Sequence, residues 1–208
     1  MKIAIFGASG GIGSECLRQA LAQGHEARAF VRDPARLAPR HDSDRLSVVT
    51  GDLSAPADVE AAMRGCDAAI CALGSRSLGA TKVRREGTAA IIDAMAKCGV
   101  RRLFIISAMG VGESWPSLSP FNRFFFAFFL KAAREDHESQ ESLVKASGLD
   151  WTIVRPSALV DGPGTGDYQI GELIRAATSK IPRADVAHFI LRDLAEKKWI
   201  GKAVTITN

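Results

Sequence analysis

The chain is poor in the residues that would make several protein classes. It has only four cysteines, Cys16, Cys66, Cys71 and Cys98, and no two form a CxxC pair. That spacing argues against a disulfide framework and against a zinc or other metal site, and it fits free thiols in a reducing cytoplasm. No apolar run approaches the roughly 20 residues that a membrane span requires. The uninterrupted run at residues 124–130 has seven and is flanked by Arg123 and Lys131. The opening MKIAIFG is too short an apolar stretch for a signal peptide and leads directly into glycines. The charge excess is only +4, which suits a small anionic ligand as well as any polyanion. Arginines at 28, 32, 36, 40 and 45 form no nucleic-acid recognition motif, so no nucleic-acid partner is expected. There is no internal repeat, and the one biased segment is rich in phenylalanine.

The chain does have a steady alternation of short β-branched runs with amphipathic stretches. Residues 2–6 (KIAIF) read as a buried strand, and residues 12–23 as a helix stopped by Gly24. Strands are expected at 27–31, 46–49, 68–72, 103–106, 151–154 and 203–206. Helices are expected at 55–63, in a stretch including 88–98 and ending at Gly99, near 121–147, and at 183–195. Pro156 is expected to close the sixth strand, and residues 161–168 (DGPGTGDY) to form a loop. Alternating strands and helices imply an α/β fold, a doubly wound parallel sheet with helices on both faces. The length suits a single domain, 1–208, with 156–208 contributing a small C-terminal, substrate-side lobe.

Residues 7–13 read GASGGIG, between the first strand and the first helix. In that context Gly7 permits the tight turn, Gly10 lets backbone approach a pyrophosphate, and Gly13 lets helix and strand pack closely. Phosphates would meet backbone N–H groups at the positive end of the helix. Gly7, Ser9, Gly10, Gly11, Ile12 and Gly13 therefore form the candidate dinucleotide turn, although the spacing is GxxGxxG rather than GxGxxG. An acid that would bond a ribose 2′-hydroxyl is missing at the end of the second strand. Arg32 stands there, with Arg36 one turn later, and two guanidiniums suit a 2′-phosphate. NADP(H) is thus preferred over NAD(H). Asp33 is assigned instead as the N-cap of the turn beginning at Pro34. Asp52 and Leu53 would flank the adenine, and Leu73, Gly74, Ser75 and Arg76 would border the ribose and phosphates.

Together with VRDPARL, GDL, LGSR, ISAMG, SGLDWTIVRPSAL and IPRADVAHFIL, the glycine turn resembles the atypical short-chain dehydrogenase/reductases. The likeness is to the NmrA-like, NAD(P)H-binding group, nearest to the biliverdin-IXβ reductase (flavin reductase) branch, and runs nearly end to end. The resemblance implies a Rossmann-type fold, NADPH, and hydride transfer to flavins or open-chain tetrapyrroles. It implies 2′-phosphate roles for Arg32 and Arg36, and a nicotinamide- and substrate-facing role for Ser107. Arg155, Pro156 and Ser157 would form a loop whose backbone meets the nicotinamide, and His137 would lie near the active site. The wider superfamily's Tyr-x-x-x-Lys falls here on Ala133 and His137, and the chain's one tyrosine, Tyr168, lies far outside it. Reactions needing a tyrosyl acid or base are thereby disfavoured. Ala158 replaces a second histidine of the biliverdin-reducing relatives, which points toward flavins or quinones.

Hydride transfer to such a planar acceptor needs little from the protein beyond holding two rings together, with water supplying the proton. Ser107, as a hydrogen-bond donor, and His137 are the candidate catalytic residues. His25, His41 and His188 are read as structural. Six of ten phenylalanines fall in residues 121–130, and Phe121, Phe125, Phe128 and Phe129 share one helical face. That segment would pack one face in the core and use another to wall a flat pocket or to meet a second copy in a homodimer. The sequence thus supports an NADPH-dependent reductase of a flavin, quinone or related planar acceptor. The alternative is an NADP(H)-binding redox sensor without turnover.

Overall fold

A computed structural model describes residues 1–37, 43–74, 82–117, 131–174 and 180–208. Strand β1 (Lys2–Phe6) lies between β2 (Glu26–Val31) and β4 (Ala68–Cys71), parallel to both. Its side chains alternate between two cores, as a strand's period of two requires. Ile3 and Ile5 face helices α1 (Gly11–Ala22) and α5 (Arg183–Glu196). Ala4 and Phe6 face α2 (Pro56–Met63), α3 (Val83–Cys98) and α4 (Lys131–Ala146). Burial on both faces is why these strands read as continuous apolar runs.

The main sheet has the order β3-β2-β1-β4-β5-β6-β10-β8. Here β3 is Leu46–Thr50, β5 Arg102–Ile106, β6 Asp150–Pro156, β8 Gln169–Gly171 and β10 Lys202–Thr207. All neighbours are parallel except β8, which runs antiparallel along β10. The chain leaves β1 toward β3 and then returns to β4 on the other side. The carboxyl ends of β1 and β4 therefore flank the topological switch point, where open α/β sheets bind ligands. The fold is the Rossmann-type α/β architecture expected.

Details differ from the expectation. Helix α3 starts at Val83, a bound the sequence reading had left open, and ends at Gly99 as expected. Strand β6 is longer than the expected 151–154, and Pro156, opposite Ile206, closes it as its final residue. Two unforeseen strands, β7 (Ala158–Val160) and β9 (Lys180–Pro182), pair parallel in a small second sheet, and β8 was also unforeseen. Three residues are too few to show a period. The phenylalanine-rich stretch 121–130 lies outside the described residues, and α4 is the described part of the long helix expected there. Among the described residues no helix is long and apolar enough to cross a membrane.

The sheet's later half is pinned by one buried carboxylate. Asp193 of α5 accepts from Arg102 Nη2 (2.7 Å) of β5 and from the backbone N–H groups of Lys198 (2.9 Å) and Trp199 (3.1 Å). Burial pushes the Arg102 guanidinium down to about 10, opposed by the charge of Asp193, so it stays ionised at neutral pH. Removing one partner of such a pair leaves an uncompensated buried charge. Asp193→Ala should lower stability by about 3–5 kcal/mol in urea unfolding, where an exposed ion pair is worth about 0–1 kcal/mol.

Candidate functional site

A single cleft runs across the carboxyl ends of the strands and encloses about 1420 Å³. Ordinary small-molecule pockets hold about 300–1,000 Å³, so there is room for an extended dinucleotide and a second ring system. Gly7, Ser9, Gly10, Gly11 and Ile12 line its centre. Gly7 has φ +82°, and a Cβ there would lie 2.4 Å from the carbonyl oxygen of Ala72, so only glycine fits. A Cβ on Gly13 would lie 2.1 Å from the Gly7 carbonyl oxygen. Gly13 is buried under the turn and not on the cleft wall, so it serves the close packing that the sequence assigned to it. Helix α1 begins at Gly11 with no side-chain cap and no acid in its first turn. Its first N–H groups and dipole therefore face the cleft without a competing carboxylate, an arrangement that fits a diphosphate.

Arg32 and Arg36 both line the cleft where β2 ends, and both are exposed. Asp33 Oδ1 accepts the Ala35 N–H at 3.0 Å, so it caps the short 3-10 turn Pro34–Arg36 as expected. Asp52 and Leu53 follow β3 on the same side of the cleft. Asp52 Oδ1 accepts from Ser54 Oγ (2.7 Å) and Ser54 N (2.8 Å), and these bonds, with Arg32 adding a smaller attraction, hold its carboxyl below the usual range. Leu73 and Gly74 continue the wall after β4. Ser75 and Arg76 lie outside the described residues.

The inner end of the cleft is formed by Ile106, Ser107, Ala108, Met109, Pro156 and Ser157. Ser107 was read as a donor to the ligand, but its Oγ donates to Glu141 Oε1 at 2.7 Å. Its remaining lone pairs can only accept. Glu141 is fixed from behind by Arg155, whose Nε bonds Oε1 at 2.9 Å and whose Nη2 bonds Oε2 at 2.5 Å. Arg155 Nη2 also reaches Glu113 Oε2 at 2.6 Å, and Lys145 Nζ holds the other Glu113 oxygen at 2.8 Å. Lys145 and Arg155 together hold the Glu113 carboxyl down to about 2. The Arg155 side chain is 1% exposed and that of Glu141 3%. Arg155 and Pro156 are the last residues of β6 and Ser157 is the bend that follows, with the Arg155 side chain turned away from the cleft toward Glu141. Pro156 and Ser157 do line it.

His137 of α4 lines the same cleft. Burial, reinforced by the positive Arg84, pushes its pKa down to about 3, with Asp136 and Gln140 opposing more weakly. Its Nδ1 is shielded from solvent and, among the described residues, has no hydrogen-bond partner. At neutral pH it is therefore an imidazole and not a proton-donating imidazolium. Asp136 accepts from Arg84 Nη1 (3.1 Å) and the Arg85 N–H (3.3 Å), which anchors α4 to the start of α3. Tyr168 is not on the cleft, and its hydroxyl lies 2.7 Å from His188 Nδ1.

Among the residues at or behind this site that escaped the sequence reading are Glu141, Arg84, Lys180 and Arg183. Glu141 acts through Ser107 from 34 positions away, which no local pattern reveals. Lys180 precedes and Arg183 belongs to IPR, a stretch noticed for its resemblance and not for its charge. Among the described residues no group of three or more His, Cys, Asp or Glu could hold a metal ion. Cys16 is fully buried, and burial pushes its thiol up to about 12.

A family model described as NAD(P)H-binding matches residues 7–197. A Bacillus subtilis (strain 168) protein named uncharacterized sugar epimerase YhfK is 31% identical over 214 residues, spanning 100% of this chain and 94% of its own. ChuY of Escherichia coli O157:H7, named an anaerobillin reductase, has a TM-score of 0.79 at 27% identity, covering 100% of this chain and 97% of its own. A short-chain dehydrogenase/reductase from Veillonella parvula DSM 2008, solved in complex with NADP, has a TM-score of 0.85 at 19% identity, with coverage of 100% and 94%. At that identity the likeness speaks for the fold alone.

The depressed pKa of His137 makes a pH test available. The unfolded chain takes up a proton near 6.5, whereas the folded chain resists protonation until about 3. The unfolded state binds more protons in between, so this residue's contribution to stability falls as pH drops through that window. Urea midpoints measured between about pH 7 and pH 5 should fall more steeply for the native protein than for His137→Gln. Parallel curves would show that His137 is not held neutral by the fold.

Proposed function

The chain belongs to the NAD(P)H-binding family, and we propose that it is an NADPH-dependent reductase of a flavin, quinone or related planar acceptor. One observation carries the reading. The cleft joins a phosphate-ready glycine turn to an inner end whose serine proton is committed to Glu141 and whose histidine is neutral. Such a site can position two rings but is badly equipped for acid catalysis. It suits an acceptor that takes its proton from water.

Bound there, the reduced nicotinamide supplies the hydride. The chain's own part is placement. The backbone of Gly10–Ile12 receives the diphosphate, Arg32 and Arg36 grip the 2′-phosphate, and Asp52 and Leu53 flank the adenine. Pro156 and Ser157 border the nicotinamide end. Ser107 accepts a hydrogen bond from an N–H or O–H of whatever occupies the inner cleft, and His137 closes the opposite side. The large volume and the apolar wall of Ile106, Met109 and Leu159 support a flat second ring system. Sugar epimerisation is disfavoured because it calls for a tyrosyl acid or base, and Tyr168 is engaged by His188 away from the cleft. Ala158 on the wall supports flavins or quinones over tetrapyrroles.

The test is NADPH oxidation by the purified protein with FMN, FAD, riboflavin and simple quinones, with NADH as the comparison. Turnover with at least one flavin or quinone, faster with NADPH, is expected. Tight NADPH binding with no turnover on any of them would instead favour an NADP(H)-binding redox sensor.

Arg32→Ala checks cofactor choice separately. Hydrogen bonds to charged groups contribute about 1.5–3 kcal/mol, so the NADPH-to-NADH affinity ratio should fall roughly ten- to hundredfold. An unchanged ratio would remove Arg32 from the 2′-phosphate site.

A further inference from the structure

We propose that Arg183 is a diphosphate-binding residue, laid by the C-terminal helix across the glycine turn. The proposal rests on the cofactor reading above and adds to it a contact from the far end of the chain. It begins with Gly11, which is none of the three glycines that the turn itself needs. Gly11 has no left-handed φ, so its backbone would accept any side chain. A Cβ there, however, would lie 2.5 Å from Arg183 Cδ and 2.6 Å from Arg183 Nε. The space that Gly11 leaves open is filled by the arginine stem. This sets a guanidinium beside the first N–H groups of α1.

The placement is held by packing. Arg183 is the first residue of α5, directly after Pro182. Gln19 Nε2 of α1 donates to the Ala184 carbonyl at 2.9 Å. Cys16, Leu17 and Ala20 of α1 and Val186, Ala187 and Ile190 of α5 are buried in one core cluster. The two helix starts therefore move together, and Arg183 is pre-organised over the turn rather than recruited to it.

Its charge is within reach of a ligand. Arg183 lines the cleft, and its Nη1 donates to Asp161 Oδ1 at 2.7 Å. The Asp161 side chain is 95% exposed while that of Arg183 is 27% exposed. An ion pair with a partner so open to water is weak and screened by salt, so it yields to a doubly charged diphosphate with charge-assisted bonds on offer. Arg32 and Arg36 lie at the other end, beyond β2. The cleft thus offers separate cations, Arg32 and Arg36 on one side and Arg183 on the other, for the 2′-phosphate and the diphosphate of NADPH. One reads the 2′-phosphate, and the other clamps the diphosphate that NADPH and NADH share.

That division sets the experiment. Binding of NADPH, NADH and adenosine 2′-monophosphate is measured by calorimetry for the native protein, Arg183→Met, Gly11→Ala and the double variant, with thermal unfolding of each as the folding control. Arg183→Met should weaken NADPH and NADH by the same factor, about tenfold or more. Adenosine 2′-monophosphate, which lacks the diphosphate, should bind within about twofold of native. Gly11→Ala, by pushing the arginine off the turn, should give a similar loss, and the double variant should lose little more than Arg183→Met alone. Unchanged dinucleotide affinity in Arg183→Met overturns the proposal. So does an equal loss for adenosine 2′-monophosphate, a shifted NADPH-to-NADH ratio, or additive losses in the double variant. A native protein that binds neither dinucleotide sinks the cofactor reading itself, a result distinct from any of these.

Discussion

The carbonyl oxygen of Ala72 lies 2.4 Å from the point where a side chain on Gly7 would begin. That approach makes the end of β1 turn sharply beside the end of β4, and Gly13 then lets α1 leave almost in contact with the same turn. The cleft exists because of this crowding. The two strands diverge in connectivity at this point, which opens a crevice between their ends. What packs on α1 inherits its position. Helix α5 docks on the face of α1 through Gln19 and the shared apolar cluster, so the C-terminal segment closes over the turn from above. A side chain at position 7 or 13 would shift strand, helix and lobe together, because the space is taken by backbone and backbone does not rotate away.

The inner end depends on a different kind of constraint, a buried charge cluster. Arg155, Glu141, Glu113 and Lys145 form a chain of ion pairs behind the wall, with Arg155 and Glu141 nearly inaccessible to water. A buried pair of this sort adds little net stability over an apolar packing, yet removing one member is costly. Its value here is geometric. Glu141 has one oxygen shared between Arg155 Nε and Ser107 Oγ, so the direction of the serine proton is set by a group that cannot itself rotate. The cleft sees an acceptor. The ligand atom meeting it must bring the hydrogen.

Much of the fold was legible because burial leaves a period in the sequence. KIAIF alternates its side chains between two cores, and the runs at 68–71 and 102–106 are buried at every position, which marks central parallel strands. The glycine turn was legible because tight turns leave few residue choices, and Asp33 because Asp before Pro is a capping pattern. The short strands β7, β8 and β9 were not, since three residues carry no period. The site was half legible. Residues at strand ends were found by position: Arg32, Asp52, Leu73, Ser107, Pro156. Residues that line the cleft, or back its wall, from other elements were missed. Glu141, Arg84 and Arg183 sit on helices whose sequence records only amphipathicity, and which helix face meets the cleft is decided by long-range packing. Arg155 was singled out for its backbone, and the role of its side chain went unread for a related reason. Its position was right, but the sequence does not reveal that its side chain turns inward to a carboxylate 14 residues earlier.

The two ends of the cleft are built from separate elements, and this bears on how such a protein can change. On the proposed reading, phosphate-facing groups come from β1, β2, α1 and the start of α5, and they answer to the cofactor. Acceptor-facing groups on the same reading come from the ends of β5 and β6, from β7 and from α4. Residues 108, 109, 158 and 159 can vary there without touching the glycine turn or the arginines. The charge cluster is an intermediate case, since it lies behind the acceptor end but ties α4 to β6. Changing Glu141 would alter both the ligand contact at Ser107 and the docking of the helix that carries His137. Specificity for a new acceptor is therefore more accessible through the strand-end wall than through α4. One fold can host several reactions in this way, with the cofactor end fixed and the chemistry decided by a few side chains at the other.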